Sequence, residues 1–428
     1  MKKVCFILGA LICASPGILL RDGLVLWGVV AGIVALALAI SSYALRPGEM
    51  RHLVSAVRPV VLVAAFPALW ILFQICPLGA LAHPIWTSTR AALGHPITGA
   101  ISVDPGATVI GFGQYLTLGA AAFLSAAVAV DRQRAEWLLF ALTGGGVIAG
   151  LLAMTYDWLF SDFQLTFVRA QGLDCAAMGA IIACAACVRL IERHNTGHLI
   201  PSSTPLMRRL APSGIALAIC IAAVCLESKS GMFVATGCGV ATLACVLVIR
   251  WFGLRLWGTT ALAVPAIGIA IVIAANQPAE HGRSLLLALA EASPISSTAM
   301  SQRMLEDAPL LGTGVGTFAA LAPIYREMDD RLSDTTASTT AAAFAIELGR
   351  PLLWAIATVT LIAIIFLLRA SLRRGRDWFY PAMGASCLIA LFISAFVNAG
   401  LLGAAPGLIG AGAFGLAFAQ SKSRTPQP

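Results

Sequence analysis

The chain alternates long apolar runs with short polar breaks. An apolar helix of about twenty residues reaches across the ~30 Å hydrocarbon core of a bilayer. On that ruler the sequence predicts twelve spans, at 4–20, 24–44, 59–76, 109–130, 137–155, 170–189, 211–227, 232–249, 256–275, 339–368, 379–397 and 401–419. The fold class is all-α: a polytopic membrane protein with a single integral membrane domain over 1–428. The tenth span is long, so it is either tilted or begins outside the bilayer.

Two breaks are longer than the rest. The first, 77–108, is rich in proline and glycine and predicts an irregular loop with a short helix at 87–94. The second, 276–338, has 63 residues. Within it, 283–292 and 298–307 have the spacing of short amphipathic helices. Gly312, Gly314 and Gly316 then mark a turn, and the acidic stretch YREMDDRLSD follows. A loop this long beside short connections is usually functional. No internal repeat of fixed period and no inverted pair of broken helices is visible.

Composition agrees with the pattern. Hydrophobic residues make up 59% of the 428 and charged residues 11%, with a mean hydropathy of +0.88. A soluble surface needs about twice that charge, and a disordered chain far less apolar content. The net charge of +8 belongs in cytoplasmic loops rather than on nucleic acid. With the N-terminus in the cytoplasm, 19 of the 28 Lys and Arg fall in inside segments, and every inside segment is basic. Both termini are then cytoplasmic, and the loops 77–108 and 276–338 lie outside. The stretch MKKVCFILGALICASPG also resembles a signal peptide, with small residues near Ala14. A first spanning helix is the preferred reading, because another apolar run follows at once. Ten of the eleven cysteines lie in apolar runs or at their ends. They read as small buried hydrophobes, with no disulfide framework or metal spacing.

Charges near hydrocarbon are expensive, so those at the outer ends of spans are the first candidates for chemistry. Arg169 starts the sixth span, Lys229 sits in the tight link ESKSG, and Arg303 lies in the large loop. Cations at that boundary suit the phosphates of a lipid-linked donor. The alternative is snorkelling anchors or, for Arg303, an ordinary helix pair with Glu306 and Asp307. The glycine run is either a phosphate cradle or a turn that packs backbone closely against the membrane domain. Glu327, Asp329, Asp330 and Asp334 lack calcium-loop spacing and read as a solvated acidic loop. His83 and His95 each precede a proline and read as turn residues. His281 has the type of a general base but no orienting partner in sequence. Glu347, at the top of the tenth span, is either a base or the partner of Arg350 at i+3.

The stretch MLEDAPLLGTGVGTFAALAPIYRE, residues 304–327, resembles the large periplasmic loop of the O-antigen ligase and polymerase family. The segment ending in Glu347, Leu348 and Gly349 is similar to that family's His-Asn-x-x-Leu-x-x-x-x-Glu-x-Gly stretch, and ESKSGMF to its Ser-Arg-Gly stretch. The family's catalytic histidine position is occupied by Ser338, with Thr339 at the asparagine, and Lys229 stands where the family has arginine.

The resemblance implies transfer of an undecaprenyl-pyrophosphate-linked glycan to an acceptor hydroxyl, without metal or cofactor. It implies a bacterial inner membrane and a role in surface polysaccharide (exopolysaccharide or O-antigen) biosynthesis. Its partners are then the lipid-linked glycan, membrane lipid and possible polysaccharide assembly proteins, with no nucleic acid. Arg169, Lys229 and Arg303 are the expected pyrophosphate ligands, and Glu347 or His281 the expected base. Gly312, Gly314, Gly316, Tyr325 and Arg326 shape the loop. Two other readings stay open. One is a non-catalytic partner of a polysaccharide export system. The other is a transporter or flippase, which would place ionisable groups at mid-membrane, where Asp174 is the clearest.

Overall fold

In a computed structural model the described residues are 1–20, 23–45, 47–159, 165–195, 206–227, 230–252, 286–287, 290, 295–326, 336–375 and 377–422. Among them there is no strand. The α-helices are α1 Lys2–Ala14, α2 Leu24–Ala44, α3 Pro47–Ile75, α4 Ile85–Leu93, α5 Pro105–Ala129, α6 Arg132–Leu159, α7 Leu165–Asn195 and α8 Leu206–Glu227. They continue with α9 Ser230–Phe252, α10 Ile295–Asp307, α11 Phe318–Tyr325, α12 Thr340–Glu347, α13 Arg350–Arg373, α14 Phe379–Val397 and α15 Ala404–Ala419.

Among the described residues, eight helices (α2, α5, α6, α7, α8, α9, α13 and α14) are long and apolar enough to cross a membrane. The chain is a multi-pass membrane protein. Two shorter apolar helices, Val60–Ile75 within α3 and α15, lie beside them. Val25, Leu62, Leu69, Ile362 and Ile365 are exposed on the outside of the bundle, the surface that lipid covers.

Helix α7 is the axis: most of its apolar stretch is buried. Small residues let neighbours approach it. A Cβ on Gly146 of α6 would run into the Gly179 backbone of α7, at 3.2 Å from its nitrogen. Without a hydrophobic drive between helices in lipid, such close approach is what holds them.

The first expected span divides into α1 and a 3₁₀ turn, Ser15–Leu20. The span expected at 256–275 lies outside the described residues. The tenth, 339–368, is two helices. Gly349 turns the chain at φ 91°, where a Cβ would strike the Leu310 carbonyl oxygen. Pro351 then starts α13 in the first helical turn, where its missing N–H costs nothing. Thr339 begins α12 by accepting the Ala342 amide at 3.1 Å.

Helices α10, α11 and α12 share a hydrophobic core of their own. Leu287, Met300, Met304, Leu305, Phe318, Leu321, Ala342 and Ile346 pack there. The expected helix at 298–307 is α10; that at 283–292 lies mostly outside the described residues. Beside this module α4 matches the helix expected at 87–94. It is fixed by Trp86 Nε1 donating to the Ser102 carbonyl at 3.0 Å, and its end by Gly94 at φ 68°. The far end of the bundle is ionic: Arg134 meets Glu49, and Arg132 meets Asp377.

Candidate functional site

Residues 309–318 form a tight turn in which Gly312, Gly314 and Gly316 adopt φ of 79°, 106° and 78°. At Gly314 a Cβ would lie 2.7 Å from the Thr108 hydroxyl and 2.8 Å from Ser102 Cβ. Only glycine fits both that φ and that gap. The turn lies backbone to backbone on residues 346–347. The Thr313 amide donates to the Ile346 carbonyl at 3.0 Å and the Gly314 amide to the Glu347 carbonyl at 3.0 Å. The Gly312 amide donates to Pro309, also at 3.0 Å. These amides are committed, so of the two readings of the run the packing turn is the one observed.

Helix α3 clasps the same point. Gln74 Nε2 donates to the carbonyls of Leu311 and Glu347, both at 2.9 Å, and Trp70 Nε1 to that of Leu348 at 3.0 Å.

The Glu347 side chain is 7% exposed. Its Oε1 accepts the Phe318 amide at 3.1 Å, and the Gly316 amide also donates to the carboxylate. Burial pushes its pKa up to about 7, against the pull of the two amides. The pair with Arg350, one of the two readings of Glu347, is not made. Gly349 breaks the helix between them, and Arg350 Nη2 donates to the Leu305 carbonyl at 2.8 Å instead.

Glu347 lines a cavity of about 790 Å³. Its head is Val315, Gly316, Phe318, Phe344, Glu347 and Leu348. Its walls are Val63, Phe66, Pro67 and Ile71 of α3, Gln114, Tyr115 and Leu118 of α5, and Ala355, Ile356, Val359 and Thr360 of α13. Leu401, Leu402 and Gly403 close the back. The α13 wall runs roughly 15 Å from the start of that helix, about half the hydrocarbon thickness. Val63, Phe66 and Val359 line the cavity and are also exposed, so it is a groove that opens sideways.

The other sequence candidates divide. Arg169 is half-buried near the start of α7; Phe167 lines the groove and Arg169 does not. Arg303 is exposed on α10, with Nη1 3.4 Å from the Tyr325 carbonyl oxygen. Burial and a hydrogen bond with Asp307 raise the pKa of the Tyr325 phenol, and Arg326 follows at the end of α11. Lys229, His281 and the acidic residues 327–334 lie outside the described residues. His83 holds a turn as expected: its Nδ1 accepts the Ile85 amide at 3.3 Å.

Ser338 is 1% exposed. Its hydroxyl donates to the Ser297 carbonyl at 2.9 Å and lies 3.0 Å from that of Ser301. It faces α10 rather than the groove. Asp174 is 1% exposed and is held by Ser394 Oγ, with Asn398 Nδ2 at 3.5 Å. Among the described residues no cluster of His, Cys, Asp or Glu has metal-site geometry.

Sequence reasoning missed Trp70, Gln74 and Gln114. Gln74 carried a signal: it is the one polar side chain with two hydrogen-bonding ends in the run from Val60 to Ile75. Comparison with protein-family models, curated proteins and solved structures finds no match to this chain.

Proposed function

We propose that the chain is a lipid-linked glycan polymerase or ligase of the O-antigen ligase-like kind. On this reading it has twelve spans and both termini in the cytoplasm of a bacterial inner membrane. The module of α10–α12 then lies at the periplasmic face. The observation that carries the proposal is Glu347: a buried carboxylate at the head of an apolar groove that opens toward lipid. An apolar chain fits the groove, and the head holds a titratable base at the membrane boundary.

The chemistry balances without metal or cofactor. An acceptor hydroxyl loses its proton to Glu347, and its oxygen bonds to the anomeric carbon. The bond from that carbon to the pyrophosphate oxygen breaks, and undecaprenyl pyrophosphate leaves. Cations stabilise the charge on the leaving group. Arg169, two residues from the groove-lining Phe167, is the first to test, followed by Lys229 and Arg303. Glu347 takes the role of base in preference to His281.

The experiment is a deletion strain complemented with wild type, Glu347→Gln or Arg169→Ala. Surface polysaccharide and lipid-linked intermediates are analysed together. Single repeat units held on lipid, with long chains absent, identify a polymerase. Long lipid-linked chains identify a ligase. An unchanged glycan profile in the deletion strain would reject both. A second reading, a non-catalytic assembly partner, is favoured by the burial of Ser338 away from the groove. It predicts that Glu347→Gln complements fully.

A further inference from the structure

The ionic end of the bundle carries a site of another kind. Arg132 starts α6, Arg189 and Arg193 lie in the last turns of α7, and Arg374 follows α13. Arg132, Asp377 and Tyr380 are within electrostatic reach of each of Arg189, Arg193 and Arg374. Arg250 joins them from α9, with its guanidinium 4.9 Å from the centre of the Trp378 ring.

Three described carboxylates oppose these five cations. Asp377 pairs with Arg132 at 2.9 Å. Glu136 holds Arg189 at 2.5 Å and also meets Arg193. Glu192 accepts from Trp378 Nε1 at 3.2 Å and lies in the field of Arg250. Among the described residues the cluster keeps an excess of two positive charges.

The excess coincides with unpaired donors. Arg189 is 4% exposed, and its Nε and Nη1 have no acceptor. Arg374 Nη1 and the hydroxyl of fully buried Tyr380 have none either. Buried guanidinium N–H groups without acceptors are expensive, and an anion satisfies several at once.

The cluster is reached from outside through Arg132, whose side chain is 45% exposed, and Arg193, at 26%. Its depth in the membrane is marked by aromatic side chains. Trp137, on α6 one turn beyond Arg132, is 66% exposed, and Trp251, at the end of α9, is 82% exposed. Exposed tryptophans at helix ends sit at the level of lipid headgroups.

We propose that this cluster binds the phosphate of an anionic phospholipid headgroup, with Arg132 and Arg193 at its mouth and Arg374 and Arg189 behind them. The ligand chemistry is a phosphate anion; the depth of the site makes a lipid its source. The site lies at the end of the bundle opposite Glu347, and the inference is independent of the proposed catalysis.

The test uses the full-length protein in nanodiscs of phosphatidylcholine alone, or with phosphatidylglycerol, or with inorganic phosphate added to the buffer. Thermal unfolding and lipid retention in native mass spectrometry are read together. Phosphatidylglycerol is expected to raise the melting temperature and to be retained about tenfold over phosphatidylcholine, the scale of one charge-assisted contact. Arg374→Gln and the double variant Arg132→Gln/Arg193→Gln are expected to lose that preference. Inorganic phosphate that stabilises the protein equally would keep the anion site and make its ligand water-soluble. Equal retention of the two lipids, with no effect of phosphate, would overturn the proposal. So would an unchanged preference in both variants. Should Arg374→Gln fail to fold, the double variant at the exposed mouth gives the answer alone.

Discussion

At the scale of single residues, Glu347 is the group on which most depends. Its pKa of about 7 has a sign that can be followed. The folded chain holds this proton between pH 4.5 and about 7, while the unfolded chain has released it. The resulting stability, of the order of 3 kcal/mol, is fully present below pH 4.5 and declines as pH rises to about 7. On the proposed reading activity runs the other way, because a general base must be ionised. We expect turnover of a lipid-linked donor to rise through pH 7 and level off above it. Glu347→Gln should lower kcat by about 10²–10⁴ and flatten that profile. A Gln variant that keeps the wild-type profile would move the base elsewhere. Gln74 makes a separate prediction. Gln74→Ala takes the Gln74 donor from the Leu311 carbonyl and from the Glu347 carbonyl, which keeps the Gly314 amide. A loss of about 1–3 kcal/mol is expected in thermal unfolding.

At the scale of elements, what could be read from sequence follows from how local each signal is. Helix α14 spans the 379–397 expected from its apolar run, because length and hydropathy are properties of one segment. The excess length of the tenth span left open a start outside the bilayer, but the place of the α12–α13 break was hidden, because the alanine-rich stretch at 340–347 reads as membrane-compatible. The signal that could have shown it is Gly349-Arg350-Pro351, a stop followed by a helix start. Glu347 was legible as a charge at a boundary, but its fate was not. Whether it paired with Arg350 depended on a turn at Gly349, and that turn depends on contact with Leu310, distant in sequence. The clasp from α3 joins residues 273 positions apart, and no local pattern encodes it. The break itself is testable. Gly349→Ala places a Cβ against the Leu310 carbonyl at a φ of 91°. It should destabilise the protein by about 1–3 kcal/mol and lower the yield of folded protein. A variant as stable as wild type would mean that the turn relaxes.

At the scale of the molecule, the groove joins the membrane to the loop module. Its walls come from α3, α5 and α13, and its head from the turn at 312–316 and from Glu347. A substrate carrying an apolar tail would then meet the carboxylate only after entering from the side. That order of events can be tested by blocking the side opening without touching the head. Val359 lines the groove and is 40% exposed. Ile362 is one turn further along α13, is 60% exposed and does not line the groove. Val359→Trp should fill the mouth and lower kcat/KM for a lipid-linked donor by at least about tenfold, because the tail loses burial worth roughly 1.5 kcal/mol or more. Ile362→Trp adds the same bulk to the lipid-facing surface and should leave kcat/KM within about twofold, as exposed substitutions usually do. Both variants should unfold at the wild-type temperature, since neither site is in the core. Equal loss in the two would point to general disturbance of α13. No loss in either would show that the tail does not enter between α3 and α13, and Glu347 would then be reached from the aqueous side alone.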